Sequence, residues 1–164
     1  MAVPSMIIGW REYVSLPDLG VEQISAKIDS GARTSCLHAM NIEEFYKGDD
    51  LYVRFATQPK RKDTKFEVTC EAQVKEKRIV KSSNGTESKR YVIVTNVQMG
   101  NYKWPVEMTL TGRKKMTYKM LFGRTSMGVD FLINPTHSYL QGEPRHEGVE
   151  TLRDKLYKAG AEHV

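Results

Sequence analysis

Apolar and polar residues alternate along much of this 164-residue chain, at the period of two that is typical of β-strands. The pattern occurs in six segments separated by turn-forming residues: 6–16, 24–29, 51–57, 66–74, 90–99 and 102–110. Successive side chains of a strand face opposite sides of a sheet, so each segment can bury one face and expose the other. The pattern predicts an all-β fold, and a closed or nearly closed antiparallel barrel is the simplest assembly of these segments.

A turn signal stands in the middle of the chain. Asn84 and Gly85 separate two strand-like segments, and this dipeptide favours a tight hairpin turn because both residues tolerate positive φ. We therefore expect a long, projecting hairpin. Pro105 cannot donate a backbone hydrogen bond, so it indicates an edge position or the start of a strand.

Residues 1–164 are interpreted as a single domain, because no linker or repeat divides them. The core is expected at about residues 7–140, followed by a C-terminal extension at about 141–164. Within this extension, residues 148–160 show the one helical pattern and predict a short C-terminal helix. The first residues lack a basic head, and no apolar segment is long enough to cross a membrane. A soluble, cytoplasmic protein is therefore predicted.

Charge and cysteine content narrow the choice of partner. The net charge of +5 is concentrated in residues 60–65, 75–81 and 112–116. Such runs attract anions, but lysines that protect strand edges explain most of them. The runs lack the interleaved aromatic residues of a nucleic-acid platform, so nucleic acid is not the expected partner. Cys36 and Cys70 have no paired-ligand spacing and are predicted to be buried, unreactive thiols.

An acid stands at the end of one predicted strand. Asp29 ends the segment 24–29, Ser30 can form a local hydrogen bond, and Gly31 permits a backbone path that a side chain would block. Together they would aim a carboxylate from a rigid strand end. A turn-capping acid and a ligand-binding acid are the alternatives to a catalytic one. Gly123 follows a short apolar run, which predicts a buried strand that passes close to other backbone.

Several blocks in this order resemble the retropepsin-like aspartic proteases. The blocks are Asp29-Ser30-Gly31-Ala32, the central hairpin and Leu121-Phe122-Gly123-Arg124. More narrowly, "AKIDSGARTSCLHA" (26–39), "KRIVKSSNG" (77–85), "EMTLTGRKKMTYKMLFGRTSM" (107–127) and "FLINP" (131–135) are similar to a bacterial family once labelled ATP-dependent zinc proteases. That family is now described as retropepsin-like endopeptidases, and its members often sit beside RimK-type ATP-grasp glutamate ligases. The resemblance covers most of residues 7–140.

The resemblance implies an aspartic endopeptidase mechanism. Two facing carboxylates share a proton and hold the water that attacks a peptide carbonyl. Because the chain has a single Asp-Ser-Gly, the second carboxylate would be Asp29 of another copy, and the protein would be a homodimer. The resemblance gives Ser30 the role of locking the two loops together. Gly31 would bind substrate through its backbone, with Ala32 and Thr34 beside it.

The same resemblance assigns two further roles. The Asn84-Gly85 hairpin would close over the substrate as a lid that excludes water. Gly123 would support the catalytic loop by passing close beside it.

Arg33 marks a departure from the well-studied retropepsins, which commonly place an acid there to pair with the later arginine. Arg124 therefore needs another partner, and Lys27 gives Asp29 a positive neighbour. One interpretation is that Arg33, Arg113 or Arg124 grips a substrate carboxylate by paired hydrogen bonds. Acidic or glutamate-rich peptides would then be the substrates.

No cofactor or metal is predicted. The sequence contains neither an HExxH zinc motif nor a GxxxxGK[ST] phosphate loop. His38 is interpreted as a partly buried strand histidine with a local hydrogen bond. The alternative to an enzyme is a non-catalytic binding module on the same fold, which would recognise a carboxylate-bearing partner or a RimK-type ligase.

Overall fold

The computed structural model describes residues 3–81 and 85–144, and within these ranges it contains eleven strands and two 3-10 helices. The strands are β1 (Met6–Gly9), β2 (Arg11–Leu16), β3 (Val21–Asp29), β4 (Ser35–His38), β5 (Met40–Lys47), β6 (Asp50–Thr57), β7 (Val68–Lys81), β8 (Glu87–Met99), β9 (Tyr102–Thr111), β10 (Met120–Gly123) and β11 (Phe131–Asn134). The 3-10 helices are Pro17–Leu19 and Arg124–Ser126. The predicted helix at residues 148–160 lies outside the described residues.

Six strands close into a barrel. They follow the order β2-β3-β10-β4-β9-β8, and Ser15 of β2 pairs with Gln98 of β8 to complete the ring. The predicted all-β barrel is thus confirmed, but the expectation that it is purely antiparallel is wrong. β10 runs parallel to β3, and β4 runs parallel to β9. Long connections separate the members of both parallel pairs along the chain, as parallel pairing requires.

The predicted hairpin is confirmed as β7 and β8, which pair antiparallel out to Lys81 and Glu87. Gly85 has a positive φ of 83°, and Asn84 lies outside the described residues. Beyond β7 the sheet continues through β6 to β5. Glu44 of β5 braces the hairpin by an ion pair with Lys77.

The core lies inside the barrel and contains the inward-facing apolar side chains of its strands. In β3, Ile24, Ala26 and Ile28 are buried, which follows the predicted alternation. Trp104 of β9 is fully buried, and its ring meets that of Phe122 edge-on at a centroid distance of 6.2 Å. Phe122 is also the register partner of Ile28, so this packing lies next to the end of β3.

Pro105 lies inside β9, opposite Asn96 of β8. The other neighbour, β4, pairs with β9 only from Met108 to Thr111. Pro105 therefore lies in the part of β9 that has one paired side, as an edge position requires.

The first predicted segment is two strands, because the backbone bends at Trp10. β1 leaves the barrel and pairs with β11 in a separate parallel two-stranded sheet. The fully buried carboxylate of Glu12 accepts three backbone hydrogen bonds, from Gly9 (2.7 Å), Leu140 (2.9 Å) and Gln141 (2.9 Å). It fastens residues 140–141 to the strands.

Candidate active site

Asp29 is the last residue of β3, where the backbone turns out of the barrel. Its Oδ1 atom accepts hydrogen bonds from the backbone N–H groups of Gly31 (3.0 Å) and Ala32 (3.2 Å). A Cβ atom on Gly31 would lie only 3.2 Å from the same Oδ1. Gly31 therefore lets the backbone approach the carboxylate, and the loop holds the half-buried acid in one orientation.

β10 lies beside this loop, and its Gly123 is in register with Asp29. A Cβ atom on Gly123 would lie 2.6 Å from the carbonyl carbon of Thr34. The predicted close approach of two backbones at Gly123 is thus confirmed. Two further backbone hydrogen bonds join the segments, from Arg124 N–H to Ala32 (2.9 Å) and from Thr125 N–H to Arg33 (3.0 Å).

Arg124 has backbone partners in place of the missing acid. Its Nη1 atom donates to the carbonyl oxygens of Gly31 (3.2 Å) and Ser30 (3.4 Å). Arg124 thus contacts the outer turn of the Asp29 loop. Because residue 33 is an arginine and not an acid, Arg124 needs other hydrogen-bond acceptors, and these two carbonyl oxygens supply them.

A buried hydroxyl pair also ties the loop to β10, and the sequence gives no signal of it. Ser35 Oγ lies 2.6 Å from Ser126 Oγ and accepts a hydrogen bond from the N–H of Gly123 (2.9 Å). The carbonyl of Ser126 accepts from Trp104 Nε1 at 2.9 Å. These hydrogen bonds of uncharged side chains therefore join the barrel core to the Asp29 loop.

Two adjoining clefts open beside the loop. The first, termed the Asp29 cleft, has a volume of about 370 Å³ and is lined by Lys27, Asp29, Arg113, Met116, Thr117, Tyr118 and Leu121. The second, termed the arginine cleft, has a volume of about 620 Å³. It is lined by Ala32, Arg33, Thr34, Cys36, Arg78, Arg90, Thr109, Thr111, Gly112, Arg113, Met116 and Leu121. Arg113, Met116 and Leu121 line both clefts, so the two adjoin at these residues.

The arginine cleft is strongly cationic. Arg33, Arg78, Arg90 and Arg113 line it, and no aspartate or glutamate is among its described lining residues. Glu76, which is not a lining residue, forms an ion pair with Arg78. The Nε atom of Arg90 is buried without a hydrogen-bond partner in the described part of the chain. An unsatisfied buried donor of this kind favours an anionic ligand as its partner.

The structure brings together most of the candidate residues predicted from the sequence. Ala32, Arg33, Thr34 and Arg113 line the arginine cleft, whereas Arg124 contacts the loop backbone instead. The sequence interpretation missed Arg78 and Arg90. These two residues are register partners on β7 and β8, so the hairpin presents both to the cleft. The alternation of side chains along the two strands of the hairpin is the sequence signal that could have placed Arg78 and Arg90 on one face.

Buried polar groups shape residues 112–118, which carry Arg113 into the clefts. The backbone N–H of Arg113 donates to Nδ1 of His38 (2.7 Å), and Lys119 Nζ donates to the carbonyls of Lys114 and Met116 (both 2.7 Å). Burial and the nearby Lys119 and Arg113 lower the pKa of His38, so its neutral, hydrogen-bond-accepting form is favoured. Burial likewise lowers the pKa of Lys119.

The two cysteines have the environment that the sequence predicts. Cys36 and Cys70 are buried and free, and burial raises the pKa of Cys70 to about 12. The predicted buried thiols are thus confirmed.

In residues 3–81 and 85–144, no three histidine, cysteine, aspartate or glutamate side chains are grouped so as to hold a metal ion. The same ranges contain no helix with the length and apolar character that a membrane span needs.

A closed barrel, an Asp-Ser-Gly loop at a strand end, and a parallel glycine-ended strand beside it define a retropepsin-like protein. The family model described as "Retropepsin-like aspartic endopeptidase RimB" matches residues 7–144. The chain belongs to this RimB-like family.

Named relatives and one solved structure are also similar to this chain. The chain is 43% identical over 152 residues to a "Probable alpha-L-glutamate ligase" of Shewanella pealeana, covering 93% of this chain and 33% of that protein. It is 37% identical over 160 residues to a protein of the same name from Desulfotalea psychrophila, covering 96% and 34%. The chain thus spans about a third of the length of these relatives. A Legionella pneumophila protein of unknown function has a similar structure, with a TM-score of 0.69, 27% identity, and coverage of 84% of this chain and 99% of that one.

Proposed function

We propose that the protein is an aspartic endopeptidase in which Asp29 residues from two copies of the chain activate a water. The observation that carries the proposal is the position of Asp29. Its carboxylate is held by two backbone N–H groups at the mouth of a cleft that is large enough to receive peptide side chains. Membership of a family described as aspartic endopeptidases supports the same chemistry.

The chemistry requires a second copy. Two carboxylates about 3 Å apart cannot both ionise, so one takes a proton while the other accepts a proton from the attacking water. The protonated acid donates a hydrogen bond to the peptide carbonyl. The chain supplies one Asp-Ser-Gly loop, so a two-fold axis beside Asp29 would complete the pair. Ser30 is exposed next to Asp29, where it can contact the second loop.

Acidic peptides, including glutamate-rich ones, are the proposed substrates. Arg33 and Arg113 line the arginine cleft with two guanidinium groups, and a guanidinium binds a carboxylate by two parallel hydrogen bonds. Arg78 lines the same cleft in an ion pair with Glu76, which a substrate carboxylate would replace. The hairpin carries Arg78 and Arg90, so its closure over a peptide through the turn at Asn84 and Gly85 would bring cations onto the substrate.

Peptide hydrolysis by the purified protein tests this proposal. Wild type should cleave a glutamate-rich peptide, and Asp29→Asn should abolish cleavage, because an amide can neither share the proton nor accept one from water. Asp50→Asn, which changes an exposed acid on β6, is the matched control and should retain activity. Full activity of Asp29→Asn would refute the proposed catalysis. Equal cleavage of neutral and acidic peptides would remove the support for an acidic substrate.

A second candidate function is a non-catalytic module that binds a carboxylate-bearing partner or a RimK-type ligase. It is favoured by the relatives named probable glutamate ligases, which contain a region similar to this chain within a protein about three times as long. Such a module would bind acidic peptides without cleaving them. In that case neither wild type nor Asp29→Asn would form product, and the two would bind the peptide with equal affinity, which separates the two functions.

A further inference from the structure

A second basic pocket lies on the same face of β3 as Asp29. Along β3, Ile24, Ala26 and Ile28 face the core, so Gln23, Ser25, Lys27 and Asp29 share the opposite face. Asp29 and Lys27 line the Asp29 cleft, whereas Ser25 and Gln23 line a pocket of about 320 Å³, termed the lysine pocket. Its other walls include Tyr13, Lys60, Arg61 and Lys62.

The two sites are close enough for one extended peptide. A strand rises about 3.3 Å per residue, so Ser25 lies about 13 Å and Gln23 about 20 Å along β3 from Asp29. An extended chain of about six residues covers the same distance. A peptide of this length can therefore span the Asp29 cleft and the lysine pocket. Between them it would pass over Tyr139, whose hydroxyl lies 2.8 Å from that of the buried Ser25.

Cationic and aromatic side chains bridge the interval. The Arg61 guanidinium lies 4.6 Å from the ring centroid of Tyr118, which lines the Asp29 cleft. Its hydroxyl accepts a hydrogen bond from Arg11 Nη1 at 2.9 Å. Arg11 is the register partner of Lys27, and its guanidinium lies 4.8 Å from the ring centroid of Tyr139. Basic groups thus continue from Lys27 through Arg11 to the lysine pocket.

We infer that this face is a binding track for an acidic peptide segment, with Lys60 and Lys62 as a distal anchor. The inference rests on the proposed acidic substrate and adds a second region of contact for it. Residues two apart on an extended peptide point to one side, so alternate carboxylates can face the basic groups along the track. Tyr13 and Tyr139 already stack on each other at 3.8 Å, which leaves less ring surface for nucleic-acid bases.

Binding of labelled oligo-glutamate peptides of two lengths tests the track. The shorter peptide, of about four residues, fills the Asp29 cleft only, and the longer one, of about twelve, also reaches the lysine pocket. Affinity is measured by fluorescence anisotropy in an Asp29→Asn background, where the peptide stays intact. The variant Lys60→Gln/Lys62→Gln is compared with Lys47→Gln/Lys103→Gln, which removes the same charge elsewhere. Lys47 is a fair match for Lys60, since each lies over an aromatic ring.

We expect Lys60→Gln/Lys62→Gln to weaken binding of the longer peptide about fivefold at low salt and to leave the shorter peptide unaffected. The control variant should change neither affinity, and thermal unfolding should confirm that both variants are folded. Equal affinities for the longer peptide in the two variants would overturn the track. A single-stranded RNA of equal charge that binds more tightly, and loses more affinity in Lys60→Gln/Lys62→Gln, would assign the pocket to nucleic acid instead.

Hydrolysis by the wild type is measured separately. Length-dependent binding without hydrolysis would contradict the endopeptidase and leave the track intact. Hydrolysis without length-dependent binding would contradict the track alone.

Discussion

Replacing Gly123 by alanine should displace the Asp29 loop, because the new methyl group has nowhere to go. A Cβ atom at this position would lie 2.6 Å and 2.8 Å from the carbonyl carbon and oxygen of Thr34, and 2.9 Å from the nitrogen of Ser35. These neighbours are backbone atoms and cannot rotate away. Either β10 or the loop must therefore shift.

The shift has a cost that can be bounded. Overpacking of a tight contact costs about 1–3 kcal/mol. Separating the segments also strains the hydrogen bonds from Gly123 N–H to Ser35 Oγ and from Arg124 N–H to Ala32, and losing one costs about 1 kcal/mol. We expect Gly123→Ala to lower the free energy of unfolding by about 2–4 kcal/mol and Tm by about 5–15 °C.

Gly112→Ala is the matched control for this substitution. Among residues 3–81 and 85–144, and apart from Gly112 and its two chain neighbours, no heavy atom lies within 4 Å of a Cβ built on Gly112. Alanine there should leave the free energy of unfolding unchanged or raise it by about 0.4–1 kcal/mol. Urea unfolding followed by tryptophan fluorescence is a suitable assay, because Trp104 bonds to Ser126 beside β10. Equal stability of Gly123→Ala and Gly112→Ala would refute the argument from close backbone approach.

Three further predictions concern buried groups. Glu12→Gln should lower the free energy of unfolding by about 1–3 kcal/mol, because an amide cannot accept all three backbone hydrogen bonds; urea unfolding would measure it, and an unchanged midpoint would contradict it. Because the folded-state pKa of His38 lies below its ordinary value of 6.5, its contribution to stability is complete above pH 6.5 and is lost as pH falls through the lowered pKa. Tm should therefore fall on acidification more steeply in wild type than in His38→Gln, and parallel curves would count against a neutral His38. In the variant Cys36→Ser, Cys70 is the one remaining thiol, and we expect it to resist a thiol reagent at neutral pH until urea unfolds the chain. Rapid labelling of this variant in its folded state would show that burial does not protect Cys70.

Local patterns predicted the parts of the fold whose two faces differ. β3 (Val21–Asp29) and β8 (Glu87–Met99) contain the predicted segments 24–29 and 90–99, and each begins three residues earlier than predicted. β4 escapes this reasoning because all four of its residues, Ser35–His38, are buried. A strand buried on both faces has no alternation to detect. β5 escapes it for the opposite reason, since none of its side chains is fully buried.

The candidate site was predictable where chain neighbours form it or where a residue carries a local signal of its own. Asp29 and Gly31 are two residues apart, and the glycine beside them, Gly123, was predicted from its apolar context. Arg78 and Arg90 reach the arginine cleft because of the register of β7 and β8, which is set by pairing along the whole hairpin. Glu12 was missed because two of its three partners, Leu140 and Gln141, lie 128 and 129 residues away along the chain.

The departure at residue 33 and the position of Arg124 have one explanation. An acid at position 33 would pair with Arg124 and contribute a negative charge, whereas Arg33 contributes a positive charge to the arginine cleft. Arg124 keeps its place because the carbonyls of Ser30 and Gly31 accept its hydrogen bonds, so the loop does not need that acid. The exchange therefore makes the cleft more positive by two charges while preserving the attachment of the loop. A more positive cleft attracts carboxylates more strongly, which is the property that the proposed acidic substrate would need.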